Sequence, residues 1–291
     1  MSTRAIVGSL GICAALLLIA GSNPAGRQAV SPARIYNTVK QKLSEGKQVV
    51  GGTVSIPDPE IYCAVANAGF DFTWIEMQHS PLTYQDVARM LFACKGAAAI
   101  PFIRVPDATE GDIQKAADIG ALGIIIPMVD TVEKAAAAVK FAKYPPIGRR
   151  SQGGGQYGAL WGAEYRETAN DNMMIVAMIE NPAGVDIVEK IAGVPGVDVV
   201  FVASTDLGSF SGLRQGDPKY ESLVTRVLDS TTKAGLKAGG PLAWKNSRKG
   251  YAFFQGPTET ALLRCGSRVA LGIKPTGCPT GGTAEIEGRE R

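Results

Sequence analysis

Short apolar runs recur along the chain from Val49 onward, and amphipathic stretches separate them. Several of these runs are almost continuously apolar, which is typical of strands covered on both faces, as in a parallel sheet packed between helices. The predicted strands are Val49–Ser55, Phe72–Met77, Ala98–Val105, Gly123–Pro127, Met174–Glu180, Val197–Ala203, Leu236–Leu242 and Tyr251–Gln255.

A helical pattern follows most of these strands. Thr83 stands where a helix N-cap is expected, and Gly120 follows another helical pattern as a C-terminal stop signal. Alternation of eight strands with helices predicts an α/β protein with a single (β/α)₈ TIM barrel. An open doubly wound sheet is the alternative, but its glycine-rich dinucleotide fingerprint is missing. The predicted helices are Pro57–Ala68, Thr83–Cys94, Thr109–Ile119, Thr131–Phe141, Ala183–Ile191, Tyr220–Ala234 and Pro257–Arg264.

Two segments depart from this alternation. The connection between Phe141 and Met173 is long and rich in glycine, proline and arginine, and such loops often act as lids over functional sites. The end of the chain from Ile273 is rich in glycine, proline and glutamate, so we expect residues 273–291 to be a disordered tail.

The N-terminus has the pattern of a secretory signal peptide. Arg4 precedes an apolar run from Ala5 to Ala20, and small residues follow at 21 and 22. We therefore predict export to the periplasm or the medium; the alternative is an uncleaved N-terminal membrane anchor. The expected organisation is a leader and linker over residues 1–30, a barrel over 31–272 and the tail over 273–291.

Composition removes several functional classes. The formal net charge is +3 without any dense basic run, which argues against nucleic-acid binding. His79 is the only histidine, so one chain cannot build a multi-histidine zinc site. None of the five cysteines forms a C-x-x-C pair, and we expect them to be small apolar residues rather than a disulfide framework.

Polar residues of interest stand at or just after the ends of predicted strands. They are Glu76, His79, Arg104, Glu180 and Asp206. In a (β/α)₈ barrel the carboxyl ends of the strands carry the active site, so these side chains are expected to converge. A salt bridge at the edge of the barrel would explain any one of these residues. It is a poor explanation for five of them on the same face.

The residue types predict metal-assisted chemistry. Glu180 and Asp206 offer hard oxygen ligands suited to Mg²⁺ or Mn²⁺, with Co²⁺ as a further option. Such an ion could bind a 2-oxo acid and stabilise its enolate, with Arg104 adding positive charge near the enolate oxygen. His79 could transfer a proton near neutral pH, and Asp118 could orient its ring.

Six segments spread between Val49 and Gly272 carry a family resemblance. They are Phe70–Pro81, Pro101–Arg104, Ile126–Thr131, Tyr144–Gly148, Met178–Glu180 and Val200–Leu207. In this order they resemble motifs of the HpcH/HpaI family of metal-dependent pyruvate aldolases, which includes 4-hydroxy-2-oxoheptanedioate and 2-dehydro-3-deoxyglucarate aldolases.

The resemblance implies a role for each matching residue. Glu180 and Asp206 correspond to the metal ligands, and Arg104 to the arginine that stabilises the enolate. His79 with Asp118 corresponds to an acid–base dyad. The backbone around Ser204 and Thr205 corresponds to the cradle for the pyruvate carboxylate. The partners implied are a 2-oxo acid, an aldehyde and further copies of the chain, often in hexamers with exchanged C-terminal helices.

The chain also departs from the family pattern. Glu76 stands where aspartate is common, Gln78 replaces an acidic residue, Met178 replaces a glutamine, and Ser204 replaces a frequent proline. These changes concern the substrate and the surroundings of the site rather than the metal pair. Two other functions therefore stay open: a lyase acting on citrate-like or acyl-CoA substrates, and an exported binding protein without catalysis.

Overall fold

Eight parallel strands close into a barrel in sequential order in the computed structural model, which describes Met1 and residues 34–278. Every predicted strand is present, with ends shifted by at most three residues, so the predicted (β/α)₈ class is confirmed. The strands are β1 Val49–Val54, β2 Phe72–Glu76, β3 Ile100–Arg104, β4 Gly123–Ile126, β5 Met174–Ile179, β6 Val199–Val202, β7 Lys237–Pro241 and β8 Tyr251–Thr258.

Helices cover the outside of the barrel, and most begin at a side-chain cap. Thr83 forms a capping box with Asp86, and Thr109 and Thr131 cap the two helices that follow. The helices are α1 Thr38–Ser44, α2 Pro59–Ala66, α3 Tyr84–Ala93, α4 Glu110–Asp118, α5 Val132–Ala142, α6 Tyr157–Trp161, α7 Tyr165–Asn172, α8 Pro182–Asp186, α9 Val188–Ala192, α10 Ser204–Ser211, α11 Pro218–Lys233 and α12 Glu259–Ala270.

Several helices differ from the sequence prediction. The predicted Ala183–Ile191 helix is divided into α8 and α9 at Ile187. Helix α12 continues to Ala270 through Gly266, because an exposed glycine only weakens a helix and does not have to end it. Helices α1, α6, α7 and α10 were not predicted.

Aromatic side chains fill the interior of the barrel. Phe72, Phe102 and Phe253 are fully buried, and their ring centroids lie 4.4–5.7 Å apart. The adjacent strands make room for these rings with glycine: a Cβ atom on Gly51 would overlap with the Phe72 ring, and one on Gly123 with the Phe102 ring. This packing holds the strands that carry the polar residues above it.

Removal of one interior ring tests this core. Phe102→Ala should lower the free energy of unfolding by about 3–5 kcal/mol, because it leaves a cavity that the closed barrel cannot collapse. Phe92→Ala is the control, since Phe92 is 57% exposed, and its effect should stay within about 0.5 kcal/mol. Urea unfolding followed by circular dichroism gives both values; equal losses would contradict the packing described.

The long connection from the end of α5 to the start of β5 lies at the amino-terminal end of the barrel. It contains a cis Pro145–Pro146 bond and helices α6 and α7. Arg150 is buried among its tyrosines and donates to Tyr165 Oη at 2.8 Å. Because it connects the end of a helix to the start of a strand, this connection does not cover the carboxyl ends of the strands in its own chain. The prediction of a lid over that face is therefore wrong for a single chain.

The cysteines also differ from expectation. Cys63 is bonded to Cys94, joining α2 to the end of α3, and Cys265 is bonded to Cys278 beyond α12. The start of the predicted tail is thus tied to the last helix up to Cys278, and its remainder lies outside the described residues. The predicted leader lies outside them too. Among residues 34–278, no helix is both long and apolar enough to span a membrane.

Candidate active site

The carboxyl ends of β2, β3, β5 and β6 bring the predicted site residues to one face of the barrel. Glu76 and Arg104 are register partners on β2 and β3. Glu180 directly follows β5, and Asp206 lies in the first turn of α10 after β6. The convergence expected from the strand ends is therefore present for these four residues.

Arg104 is held by a buried ion pair. Its guanidinium donates to Glu76 Oε2 through Nε at 2.6 Å and Nη2 at 2.5 Å. Trp74 Nε1 donates to the same oxygen at 3.2 Å, and Nη1 lies 3.9 Å from Met178 Sδ. Both charged side chains are more than nine-tenths buried. This fork fixes the plane of the guanidinium and leaves Nη1 directed at a weak sulfur acceptor, so it retains donor capacity toward the cavity.

The same carboxylate also fixes the loop that carries His79. Glu76 Oε1 accepts from the backbone N–H groups of Gln78 at 2.9 Å and His79 at 3.0 Å, and Ser80 Oγ donates to the Glu76 carbonyl. The imidazole itself is exposed and lines the cavity together with Arg104. Glu76 therefore positions two of the predicted catalytic residues at once.

Glu180 is a buried carboxylate that directly follows β5. Burial raises the pKa of its carboxyl, and the nearby Asp206 carboxylate raises it further, whereas the Met128 N–H, Arg104 and His79 lower it. Met128 N donates to Oε1 at 2.9 Å, and Met128 adopts a positive φ of 52°, which is unusual for a non-glycine residue. The loop after β4 is thus bent so that its backbone holds Glu180.

The donor set fits a magnesium-type ion. Among the described residues, no group of three or more His, Cys, Asp or Glu side chains could hold a metal. Two carboxylates alone suit Mg²⁺ or Mn²⁺, which commonly bind proteins through one or two carboxylates and complete their coordination with water and substrate. The pKa of Glu180 is raised mainly by burial, and a bound ion would stabilise the charged form of this carboxylate.

A cavity of about 170 Å³ lies beside these residues. Its lining includes His79, Arg104, Ser204, Thr205 and Asp206. Helix α10 begins here without a side-chain cap, so the N–H groups of its first turn stay available to an anion. Tyr220 Oη donates to the Ser204 carbonyl at 2.9 Å and holds this turn in place. The cavity therefore combines the Arg104 cation, free N–H donors and the Asp206 carboxylate.

Asp118 lies elsewhere. It is the last residue of α4, and it accepts a hydrogen bond from Arg150 Nη2 at 2.7 Å. The end of α4 leads into the start of β4, which is the opposite end of the barrel from His79. A single chain therefore does not bring Asp118 to His79, because the helix reverses the chain between Arg104 and Asp118.

Sequence reasoning missed two positioning elements. Glu76 was recognised at its strand end but not as the partner of Arg104; the β2–β3 register supplies that contact. The role of Met128 could not be predicted from the sequence, because a methionine rarely adopts a positive φ and nothing in the local pattern indicates its N–H hydrogen bond to Glu180.

The raised pKa of Glu180 should make the free energy of unfolding depend on pH. Because its folded-state pKa is raised, the folded protein binds that proton more tightly than the unfolded chain, and this contribution is lost as pH rises through the raised pKa. Glu180→Gln should therefore stabilise the metal-free protein at neutral pH, and the difference should vanish at pH values below the unfolded-state pKa.

The same substitution at Glu76 is the control. Glu76→Gln removes one charge from a buried ion pair and should destabilise the protein by about 3–5 kcal/mol. Thermal unfolding in EDTA at neutral and acidic pH measures both variants. Destabilisation by Glu180→Gln at neutral pH would contradict the raised pKa of the Glu180 carboxyl.

Comparison with known proteins agrees with this geometry. Residues 54–249 match the model of the HpcH/HpaI aldolase/citrate lyase family. The chain is 37% identical over 212 residues to a hydroxypyruvate/pyruvate aldolase of Chromohalobacter salexigens, covering 69% of this chain and 83% of the relative. It is 32% identical over 255 residues to a protein of the same name from Pseudomonas aeruginosa, covering 84% and 94%.

A solved structure matches as well. The crystal structure of an HpcH/HpaI aldolase/citrate lyase family protein from Burkholderia cenocepacia superposes with a TM-score of 0.74 at 31% identity, covering 81% of this chain and 98% of that one. The resemblance noted in the sequence is thus confirmed over the barrel. The chain belongs to the HpcH/HpaI aldolase/citrate lyase family.

Proposed function

We propose that this protein is a carbon–carbon lyase, an aldolase that forms or cleaves the bond between a pyruvate enolate and an aldehyde. The substrates would be 4-hydroxy-2-oxo acids. The observation that carries the proposal is the small cavity lined by Arg104, Asp206 and the uncapped start of α10, with the buried Glu180 carboxylate close enough to Asp206 to feel its charge. Relatives named hydroxypyruvate/pyruvate aldolase and 2-keto-3-deoxy-L-rhamnonate aldolase support the same reaction class.

Glu180 and Asp206 would hold the divalent metal, Mg²⁺ or Mn²⁺, with Co²⁺ as a further option. A bound ion would act as a Lewis acid on the oxo acid. The residues of the chain supply the rest. The first-turn N–H groups of α10, around Ser204 and Thr205, bind the substrate carboxylate.

Arg104 provides the positive charge at the oxygen on which negative charge develops. Its donors are preorganised by Glu76, so no reorientation is needed during the reaction. His79 transfers a proton at the aldehyde-derived oxygen, and its exposure allows exchange with solvent. Asp118 can assist His79 only from another copy of the chain, and its catalytic role stays a prediction.

The predicted homo-oligomer, with a hexamer as the form implied by the resemblance, has support from the surface. Leu263 and Val269 of α12 are more than half exposed. An apolar groove of about 590 Å³ lies between α2 and α12. A monomer rarely leaves such a face uncovered, so a second copy of the chain is the expected partner.

Two rates measured on the same preparation test the function. Cleavage of a 4-hydroxy-2-oxo acid reports the full reaction, and deuterium exchange into pyruvate reports enolate formation alone. Both should require divalent metal. Exchange without cleavage of any 4-hydroxy-2-oxo acid would favour a citrate-lyase-like or acyl-CoA lyase. The absence of both rates would favour a binding protein.

Export stays part of the proposal. The two disulfides support it, because structural disulfides persist mainly in oxidising compartments. N-terminal sequencing of the protein from its native host should give a start near Asn23, and an intact Met1 in the cytoplasm would contradict export.

A further inference from the structure

One polar side chain of the catalytic cavity has no part in the chemistry proposed so far. Gln255 of β8 lines the cavity together with His79, Arg104 and Asp206. Its side chain is partly buried, and its amide forms no hydrogen bond with another described residue. A primary amide offers an acceptor oxygen and two N–H donors. The cavity therefore contains one unassigned group that can both donate and accept.

The direction of the Gln255 side chain follows from the alternation of β8. Phe253, two residues earlier, is fully buried among the interior rings of the barrel. Residues two apart on a strand share one face, so Gln255 also points inward. It stands one layer above the Phe253 ring, at the carboxyl end of the barrel, where the cavity lies.

The backbone next to Gln255 is fixed on the side of β1. Thr53 Oγ1 donates to the Gly256 carbonyl at 2.9 Å. A Cβ atom on Gly256 would lie 2.4 Å from the Gly51 carbonyl oxygen, so this close approach of the two strands requires glycine. The Gln255 side chain therefore extends into the cavity from a defined position.

The neighbouring strands leave the Gln255 amide available. Its register partners are Pro241 on β7 and Gly51 on β1, and neither has a polar side chain. By contrast, Glu76 and Arg104 are register partners that bind each other. The hydrogen-bonding capacity of the amide is thus not used by the adjacent strands, and a polar group of the substrate can use it.

The order of the strands indicates which substrate atom faces Gln255. In the proposed reaction the carboxylate of the oxo acid binds at the start of α10, after β6, and the C2 oxygen lies toward Arg104 on β3 and Glu180 after β5. Because C2 is trigonal, its third substituent points away from both, across the barrel to β8, β1 and β2. C3, the carbon that forms the new bond, therefore faces Gln255 and His79.

We propose that Gln255 is a specificity-determining residue for the oxo acid, and that its amide binds a hydroxyl group on C3. This inference rests on the proposed aldolase function and assigns the selection of the nucleophile to one side chain. A hydroxyl group both donates and accepts, which matches the amide. A hydroxylated oxo acid gains a hydrogen bond here that pyruvate cannot form, so the amide favours the hydroxylated acid.

Deuterium exchange into C3 of two oxo acids, without any aldehyde, tests this role. Hydroxypyruvate carries the C3 hydroxyl and pyruvate lacks it, and the rate without protein is subtracted for each. Gln255→Met keeps the length of the side chain without the amide. Its kcat/KM for hydroxypyruvate should fall about three- to tenfold, the usual effect of losing one uncharged hydrogen bond. For pyruvate, kcat/KM should change less than twofold, which also shows that the variant is folded. Gln255→Asn, with the amide on a shorter side chain, should lie between.

Gln85→Met is the matched control, since Gln85 is exposed on α3 and does not line the cavity. It should leave both exchange rates unaffected. If Gln255→Met alters the two oxo acids by the same factor, or neither, the role of Gln255 is refuted and the aldolase function stands. The same holds if the parent exchanges pyruvate but not hydroxypyruvate, or if the variant loses only the condensation with an aldehyde. Absence of exchange with both oxo acids in the parent overturns both proposals.

Discussion

Full removal of divalent metal should abolish both cleavage of a 4-hydroxy-2-oxo acid and deuterium exchange into pyruvate. The reason is the Glu180–Asp206 pair. Burial raises the pKa of the Glu180 carboxyl, and the Asp206 carboxylate raises it further, so the two acidic side chains lie close enough to share one divalent ion. A bound ion would supply, together with Arg104, the positive charge that offsets the negative charge developing on the substrate oxygen. Rates are measured before and after treatment with EDTA, and again after adding Mg²⁺ or Mn²⁺.

Undiminished turnover after complete metal removal would contradict the assignment of the two carboxylates. A Schiff-base route would then be required, but the described residues that line the cavity include no lysine. Borohydride treatment in the presence of pyruvate should accordingly leave the mass of the protein unchanged. Glu180→Gln should show the same loss of activity while remaining folded, which separates loss of the metal from unfolding.

Arg104→Ala should reduce both rates by about 10²–10³, the usual effect of losing a preorganised donor to a developing oxyanion. Cleavage and exchange share the enolate, so the two rates should fall together. Arg104→Lys should recover only part, because an ammonium cannot reproduce the two bonds to Glu76 Oε2. Unfolding of Arg104→Ala is checked by circular dichroism, since the substitution leaves Glu76 unpaired.

His79→Ala should separate the two rates. Loss of a general acid–base group is commonly worth about 10²–10⁴, and we expect this loss in cleavage. Exchange should fall less, because His79 acts on the aldehyde-derived oxygen, which pyruvate lacks. Cleavage within about twofold of the parent would show that His79 is structural.

Much of the fold follows from local pattern. A strand run such as Met174–Ile179 is apolar on both faces, which is typical of a parallel sheet covered by helices. The helices missed by the prediction are those with a weak local signal. Helix α10 has small and polar residues throughout most of its length, and α7 is strongly polar. Tertiary hydrogen bonds stabilise them instead. Tyr220 donates to the Ser204 carbonyl in α10, and Asn172 at the end of α7 donates to the Arg34 carbonyl.

The positions of some site residues could likewise be predicted from the sequence, and the position of Asp118 could not. Strand ends predicted the positions of Glu76, Arg104, Glu180 and Asp206, because all parallel strands of a barrel end on one face. Spacing along the chain suggested Asp118 as the partner of His79, and here the tertiary structure differs. Fourteen residues that contain a helix return the chain to the opposite end of the barrel.

The sequence by itself determined the barrel, its order of strands and the residue types at the catalytic face, since these depend on hydrophobic periodicity and on the common direction of parallel strands. Only the tertiary structure decided the contacts between segments distant along the chain. The pairing of Glu76 with Arg104 depends on the register of β2 and β3. The hydrogen bond from the Met128 N–H to the Glu180 carboxylate depends on the positive φ of Met128. Such contacts arise from the closed geometry of the barrel, and no local pattern encodes them.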